Sequence, residues 1–142
     1  MFRTTLAAAA LTLFALGGTA FAAEMKFKAD MTTAAEVPPK TTAGKGEALA
    51  TLDTATKTLS YTVTYMDLTG PATAAHVHGP AAVGANAGVV APMGPPVASP
   101  IHGTATLTDA QIADLEAGKY YVNVHPAENK GGEIRGQLMP AK

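Results

Sequence analysis

Of the four histidines in this chain, His76 and His78 stand one residue apart. In an extended segment side chains alternate with a period of two, so both imidazoles project from one face. Two such rings can converge on one ion at about 2.0–2.1 Å. Val77, between them, then points the other way, toward a core. A third imidazole, His125, ends the run Tyr121-Val122-Asn123-Val124-His125. Here Val122 and Val124 share one face, and Tyr121, Asn123 and His125 share the other. After a polar turn, Glu133, Arg135 and Gln137 alternate with Ile134 and Leu138. The chemistry this pattern points to is binding of one transition metal ion by His76, His78 and His125. Iron, copper and zinc all take imidazole at such distances. Glu133 is read either as a direct ligand or as a carboxylate that holds a ligand imidazole. Arg135 is the only arginine after position 3. It either forms a salt bridge with Glu133 or Glu128, or draws a small anion toward the metal through a fixed positive charge. The competing reading of the H-x-H pair is two polar residues on a wet sheet face. A third imidazole on a polar strand face moves the balance to the metal. His102, between Ile101 and Gly103, is expected in solvent.

Seven strands must position these residues. Residues 25–31 alternate apolar and polar, as a half-buried strand does, and Pro38-Pro39 ends the segment. Residues 47–52 and 58–66 follow, joined by a turn over 53–57. In the latter strand Leu59, Tyr61, Val63 and Tyr65 take one face. Residues 73–78 carry the histidine pair and stop at Gly79-Pro80. A Gly-, Ala- and Pro-rich loop over 79–100 is long for a domain of this size, which marks it as functional or mobile. Residues 102–107 form a short strand. Thr108-Asp109-Ala110-Gln111 is a capping box that opens a helix through Leu115, with Gly118 as its stop. The sixth and seventh strands cover 119–125 and 133–139. Short strands separated by turns predict an all-β, antiparallel Greek-key or immunoglobulin-like sandwich or barrel with one short helix.

Residues 1–22 read as a cleavable signal peptide. Arg3 precedes an uncharged apolar run over 6–16, and Ala20-Phe21-Ala22 offers small residues at the cleavage site. The run is too short to span a bilayer, which takes about 20 apolar residues. The expected mature protein, residues 23–142, is one exported domain, periplasmic or secreted. Ten basic residues, nine without Arg3, stand against eleven acidic ones. With no basic stripe, nucleic acid and anionic membrane are poor partners. The chain has no cysteine, so disulfides and thiol catalysis are excluded, and stability must come from the core and from a bound metal. No Ser-His-Asp arrangement and no phosphate-binding loop are evident.

Five segments resemble the chordin-type (CHRD) domain family, in the family's order: Glu36-Val37-Pro38-Pro39, Leu59 to Tyr65, Ala74-Ala75-His76-Val77-His78-Gly79-Pro80, Gly118 to His125, and Gly131-Gly132-Glu133-Ile134-Arg135-Gly136-Gln137-Leu138. They span nearly all of the expected mature chain. The resemblance implies a secreted immunoglobulin-like or barrel domain, often standing alone in bacteria. The H-x-H strand, the later histidine and the arginine also look like the layout of copper–zinc superoxide dismutases. That likeness makes His76, His78 and His125 ligands, with Arg135 as anion guide and superoxide as substrate. The disulfide cysteines, the bridging histidine and the aspartate-bearing zinc loop of those enzymes have no counterpart here, so the resemblance supports one redox metal, iron or copper, and not two. The domain type further implies iron-dependent superoxide dismutase activity.

Three functions follow as alternatives. One is a mononuclear superoxide dismutase. A second is a non-catalytic periplasmic metal-binding module with the same ligands. The third is a protein- or polysaccharide-binding domain that works through the 79–100 loop.

Overall fold

Apolar and polar residues alternate along most of these segments, so each strand has one side to bury. The computed structural model describes residues 22–142. The expected signal peptide lies outside the described residues, apart from Ala22. The elements are β1 (Glu24–Thr32), β2 (Lys45–Asp53), β3 (Thr58–Met66), β4 (Ala72–His78), β5 (Val89–Pro92), β6 (Ile101–Thr106), α1 (Asp109–Glu116), β7 (Tyr121–Pro126), β8 (Ile134–Gln137) and β9 (Met139–Ala141).

All strand pairings are antiparallel, in the order β5-β4-β7-β8-β1-β2-β3-β6, with β9 beside β1. The sheet curls into a nearly closed barrel, and its end strands β5 and β6 flank one groove. The expected all-β architecture with one helix is what forms. Two further strands, β5 and β9, raise the count from the seven expected to nine. The 79–100 segment is not one loop, because residues 89–92 form β5 and pair with β4. The last expected strand divides into β8 and β9 at Leu138, which is buried and bonds through its amide to the Tyr120 carbonyl.

Phe27, Ala29 and Met31 point into the core with Leu59, Tyr61 and Val63, and Val77, Val122, Val124 and Ile134 meet them from the other side. The predicted capping box is present. Thr108 Oγ1 accepts from the Gln111 amide at 3.2 Å, and Gln111 Oε1 accepts from the Thr108 amide at 2.9 Å. Gly118 (φ 71°) ends the helix in a left-handed conformation that glycine adopts without strain. Leu115, fully buried, fixes the helix to the barrel.

Candidate metal centre

The site lies on the outer face of β4, β7 and β8, opposite the core. Register places Ala74 across from His125, His76 across from Asn123, and His78 across from Tyr121. On the far side of β7, Asn123 faces Arg135 and Tyr121 faces Gln137. Paired residues share a face, so three histidines, one asparagine and one tyrosine collect on one patch. The small Ala74 leaves room for the His125 ring to lean toward His76. The ring centroids of His76 and His125 are 4.9 Å apart, and His76 Nδ1 is 3.0 Å from His125 Nε2. One ligand atom from each of His76, His78 and His125 falls within 4.8 Å of the others, close enough to share an ion.

The tautomers suit ligation. His125 Nδ1 lies 2.9 Å from the Lys130 carbonyl, and His78 Nδ1 lies 3.0 Å from the Ala87 carbonyl. A carbonyl only accepts, so each Nδ1 carries the hydrogen and each Nε2 keeps its lone pair. His78 Nε2 is buried and has no hydrogen-bond partner. An orphaned buried nitrogen of this kind is unfavourable unless something electropositive meets it. Burial lowers the pKa of His76, and His78 lowers it further. Burial also lowers that of His125, the Lys130 carbonyl opposing, with His76 and His78 adding to the fall. The net effect at His76 and at His125 favours neutral imidazole, the form that binds metal.

A loop covers this face. His78 stacks on Tyr121 at 4.9 Å between centroids and 2° between planes, and Arg135 Cζ sits 3.4 Å from the centre of the same tyrosine ring. Arg135 Nη1 donates to Asn86 Oδ1 at 3.0 Å, and Nη2 donates to the Ala85 carbonyl. Tyr121 Oη accepts from the Ala87 amide at 3.1 Å, and Gln137 Nε2 donates to the Ala81 carbonyl at 2.9 Å. Residues 81–87 are thereby fastened over the site. Arg135 is 2 % exposed, its donors engaged by the loop, so its guanidinium does not front an open cleft.

Glu133 is not brought to the histidines. Residue 133 precedes the β8 ladder and lies in a bend, so strand alternation does not set its direction. Its carboxylate accepts from Thr42 Oγ1 at 2.6 Å, Thr69 Oγ1 at 2.7 Å, the Thr69 amide at 3.1 Å and Asn129 Nδ2 at 3.3 Å. Burial raises its pKa, but the hydrogen bonds from Thr42, Thr69 and Asn129 outweigh that and leave it below the usual value. It ties the β1–β2 and β3–β4 loops to β8 and contacts neither a ligand ring nor Arg135. His102 is exposed on β6, with Nδ1 3.0 Å from Thr62 Oγ1.

Three participants were not singled out by the sequence. Asn123 Oδ1 lies 2.7 Å from His125 Nε2. Glu36, 3 % exposed, approaches the amide of Asn123 beside Gly132. Asn86 clasps Arg135 and donates to the Val37 carbonyl at 3.1 Å. The face pattern of β7 already carried Asn123. Glu36 sits in an irregular segment where no periodicity reports its direction. Burial pushes its carboxyl up to about 7, against the opposing pull of Arg135, the Val37 amide, Lys40 and the Asn123 side chain.

These features define a class: a nearly closed antiparallel β-barrel that carries a three-histidine cluster on a covered outer face. The CHRD domain model matches residues 27–138, and the chain belongs to that family. No curated protein and no solved structure matches it significantly.

Proposed function

We propose that this protein binds one transition metal ion through His76, His78 and His125 and uses it as a mononuclear redox centre, with superoxide as the small anionic substrate and an exported location, periplasmic or secreted. The observation that carries the reading is the pair of Nδ1–carbonyl bonds that leave Nε2 of His78 and of His125 as lone-pair atoms, the first buried without a hydrogen-bond partner and the second beside His76 Nδ1 and Asn123 Oδ1. Backbone carbonyls that fix ligand tautomers are the usual second layer of a metal site. Three histidines leave further coordination positions for substrate. The ion supplies one-electron chemistry when bound. The chain's own residues hold the ligand atoms, keep His76 and His125 neutral and exclude bulk water beneath residues 81–87. Arg135 acts as a positioning residue for that cover and for Tyr121, on which His78 stacks.

The test is dismutation by the mature protein reconstituted separately with iron, copper and zinc. Metal-dependent activity with iron or copper, and none with zinc, is the expected result. A fully metallated iron and copper protein without activity overturns the enzyme reading. A second reading, a non-catalytic metal-binding module, is favoured by the engaged Arg135 donors, since that guanidinium bonds the cover and is not presented to an incoming anion. It predicts binding of zinc as well as iron or copper, with no turnover.

A further inference from the structure

His125 Nε2 has two atoms in front of it: His76 Nδ1 at 3.0 Å and Asn123 Oδ1 at 2.7 Å. With Nδ1–H committed to Lys130, Nε2 is a lone-pair atom. His76 can donate to it, but Asn123 Oδ1 cannot. The far end of the amide points to Glu36. Asn123 Nδ2 and Glu36 Oε1 both lie beside Gly132 (φ 113°), where a side chain would displace them, and Oε1 is buried without a hydrogen-bond partner. The amide oxygen is therefore the atom turned toward the ring. Two acceptors at hydrogen-bond distance with no hydrogen between them repel, and burial withholds the water that would relieve them. Asn123 is 3 % exposed and His125 is 7 % exposed. A cation between the two removes the conflict. An ion about 2.1 Å from Nε2, set to one side of the line joining the two atoms, also has Oδ1 within bonding range.

We propose that Asn123 is the fourth protein ligand of this centre, through Oδ1, and that Glu36 positions it by engaging the amide nitrogen. The claim rests on the three-histidine reading and goes beyond it. The donor set becomes three nitrogens and one oxygen. Four protein ligands complete a tetrahedral zinc site, which then has no place for substrate. Substrate access requires an ion that accepts a fifth or sixth ligand, and iron meets that need.

The probe is cobalt(II), titrated into metal-free mature protein and followed by its visible d–d absorption, with circular dichroism confirming the fold of each variant. Wild type is expected to bind one cobalt(II) ion. Asn123→Ala is expected to bind it about 10- to 100-fold more weakly, with an altered absorption envelope, because an outer-layer loss alone reaches that range. Asn123→Asp keeps an oxygen at the same place and restores binding. A folded Asn123→Ala protein with wild-type affinity and spectrum overturns the proposal and leaves the three-histidine site standing, provided His78→Ala abolishes binding. Wild type that takes up no cobalt overturns both. If Asn123→Ala does not fold, a crystal structure of zinc-loaded wild type decides. Oδ1 at about 2.0–2.2 Å from the ion is expected, and Oδ1 beyond about 3 Å overturns the claim.

Discussion

The outer faces of β1-β2-β3 and of β4-β7-β8 begin from the same sequence pattern and end in opposite environments. Both alternate apolar residues inward with polar residues outward. On the first, Lys28, Asp30, Leu49, Ser60 and Thr64 stand in solvent, and Lys28 pairs with Glu47 at 2.8 Å and Asp30 at 3.3 Å across exposed surface. On the second, Tyr121, Asn123, His125 and Arg135 are all buried, Tyr121 and Arg135 against residues 81–87, Asn123 beside Glu36 and Gly132, and His125 against the Lys130 carbonyl and His76. The difference is the cover. A solvated polar face needs no particular partners, whereas a covered one must satisfy each donor and acceptor internally. Arg135, Gln137, Glu133 and the two Nδ1–H groups find protein partners; His78 Nε2 does not. Among the described residues, this nitrogen and Glu36 Oε1 are the buried side-chain atoms left without a partner, and the nitrogen is the one that stands beside the other two imidazoles.

Replacing one cation on each face gives the widest contrast. Arg135→Ala removes a buried guanidinium, its stacking on Tyr121 and two loop hydrogen bonds, and should destabilise the fold by about 3–4 kcal/mol in urea unfolding. Lys28→Ala removes an exposed partner of two carboxylates and should leave the unfolding midpoint unchanged, as exposed pairs do. Equal effects would dissolve the distinction between the faces.

Next in size is Glu36. Its folded pKa of about 7 lies above the ordinary 4.5, so the folded state holds a proton that the unfolded state has released. Its contribution is intact below pH 4.5 and is lost as pH rises through about 7. The full shift corresponds to about 3 kcal/mol, of which solvent screening leaves about 2. Glu36→Gln should therefore stabilise the metal-free protein at pH 8 by about 2 kcal/mol and have little effect at pH 4. Unfolding curves at the two pH values check this.

His76 and His125 carry the opposite sign. Their folded pKa values lie below the ordinary 6.5, so their contribution is present above pH 6.5 and is lost as pH falls toward the folded values. Metal should be released over the same acid range, because protonated imidazole does not ligate. Retention of metal well below that range, followed by elemental analysis after dialysis, would contradict the histidine ligands.

Much of the barrel was legible because alternation reports burial directly: Leu59, Tyr61 and Val63 on β3 and Val122 and Val124 on β7 point inward as read. Capping residues marked α1 equally well. β5 was not legible, since Val89-Val90-Ala91-Pro92 is short, carries proline and pairs only at the sheet edge, which leaves no period to detect. At the site, parity placed His76, His78 and His125 on polar faces, and register then brought those faces together. Parity misdirected Glu133 because residue 133 stands outside the ladder. It also could not foresee that Arg135 lies under a cover, as the cover comes from residues 81–87, whose path no local pattern sets. Asn123 was visible as a face residue, but its meaning depends on Glu36, nearly ninety positions away in the chain and without regular structure around it.

Calorimetric titration of metal-free protein comprising residues 23–142 with a divalent transition metal, in parallel with the His76→Ala/His78→Ala/His125→Ala triple variant, tests the covered face most directly. One ion bound per wild-type chain, and none by a folded triple variant, is the predicted result. Equal uptake by both proteins, or none by folded wild type, contradicts a metal centre on β4 and β7.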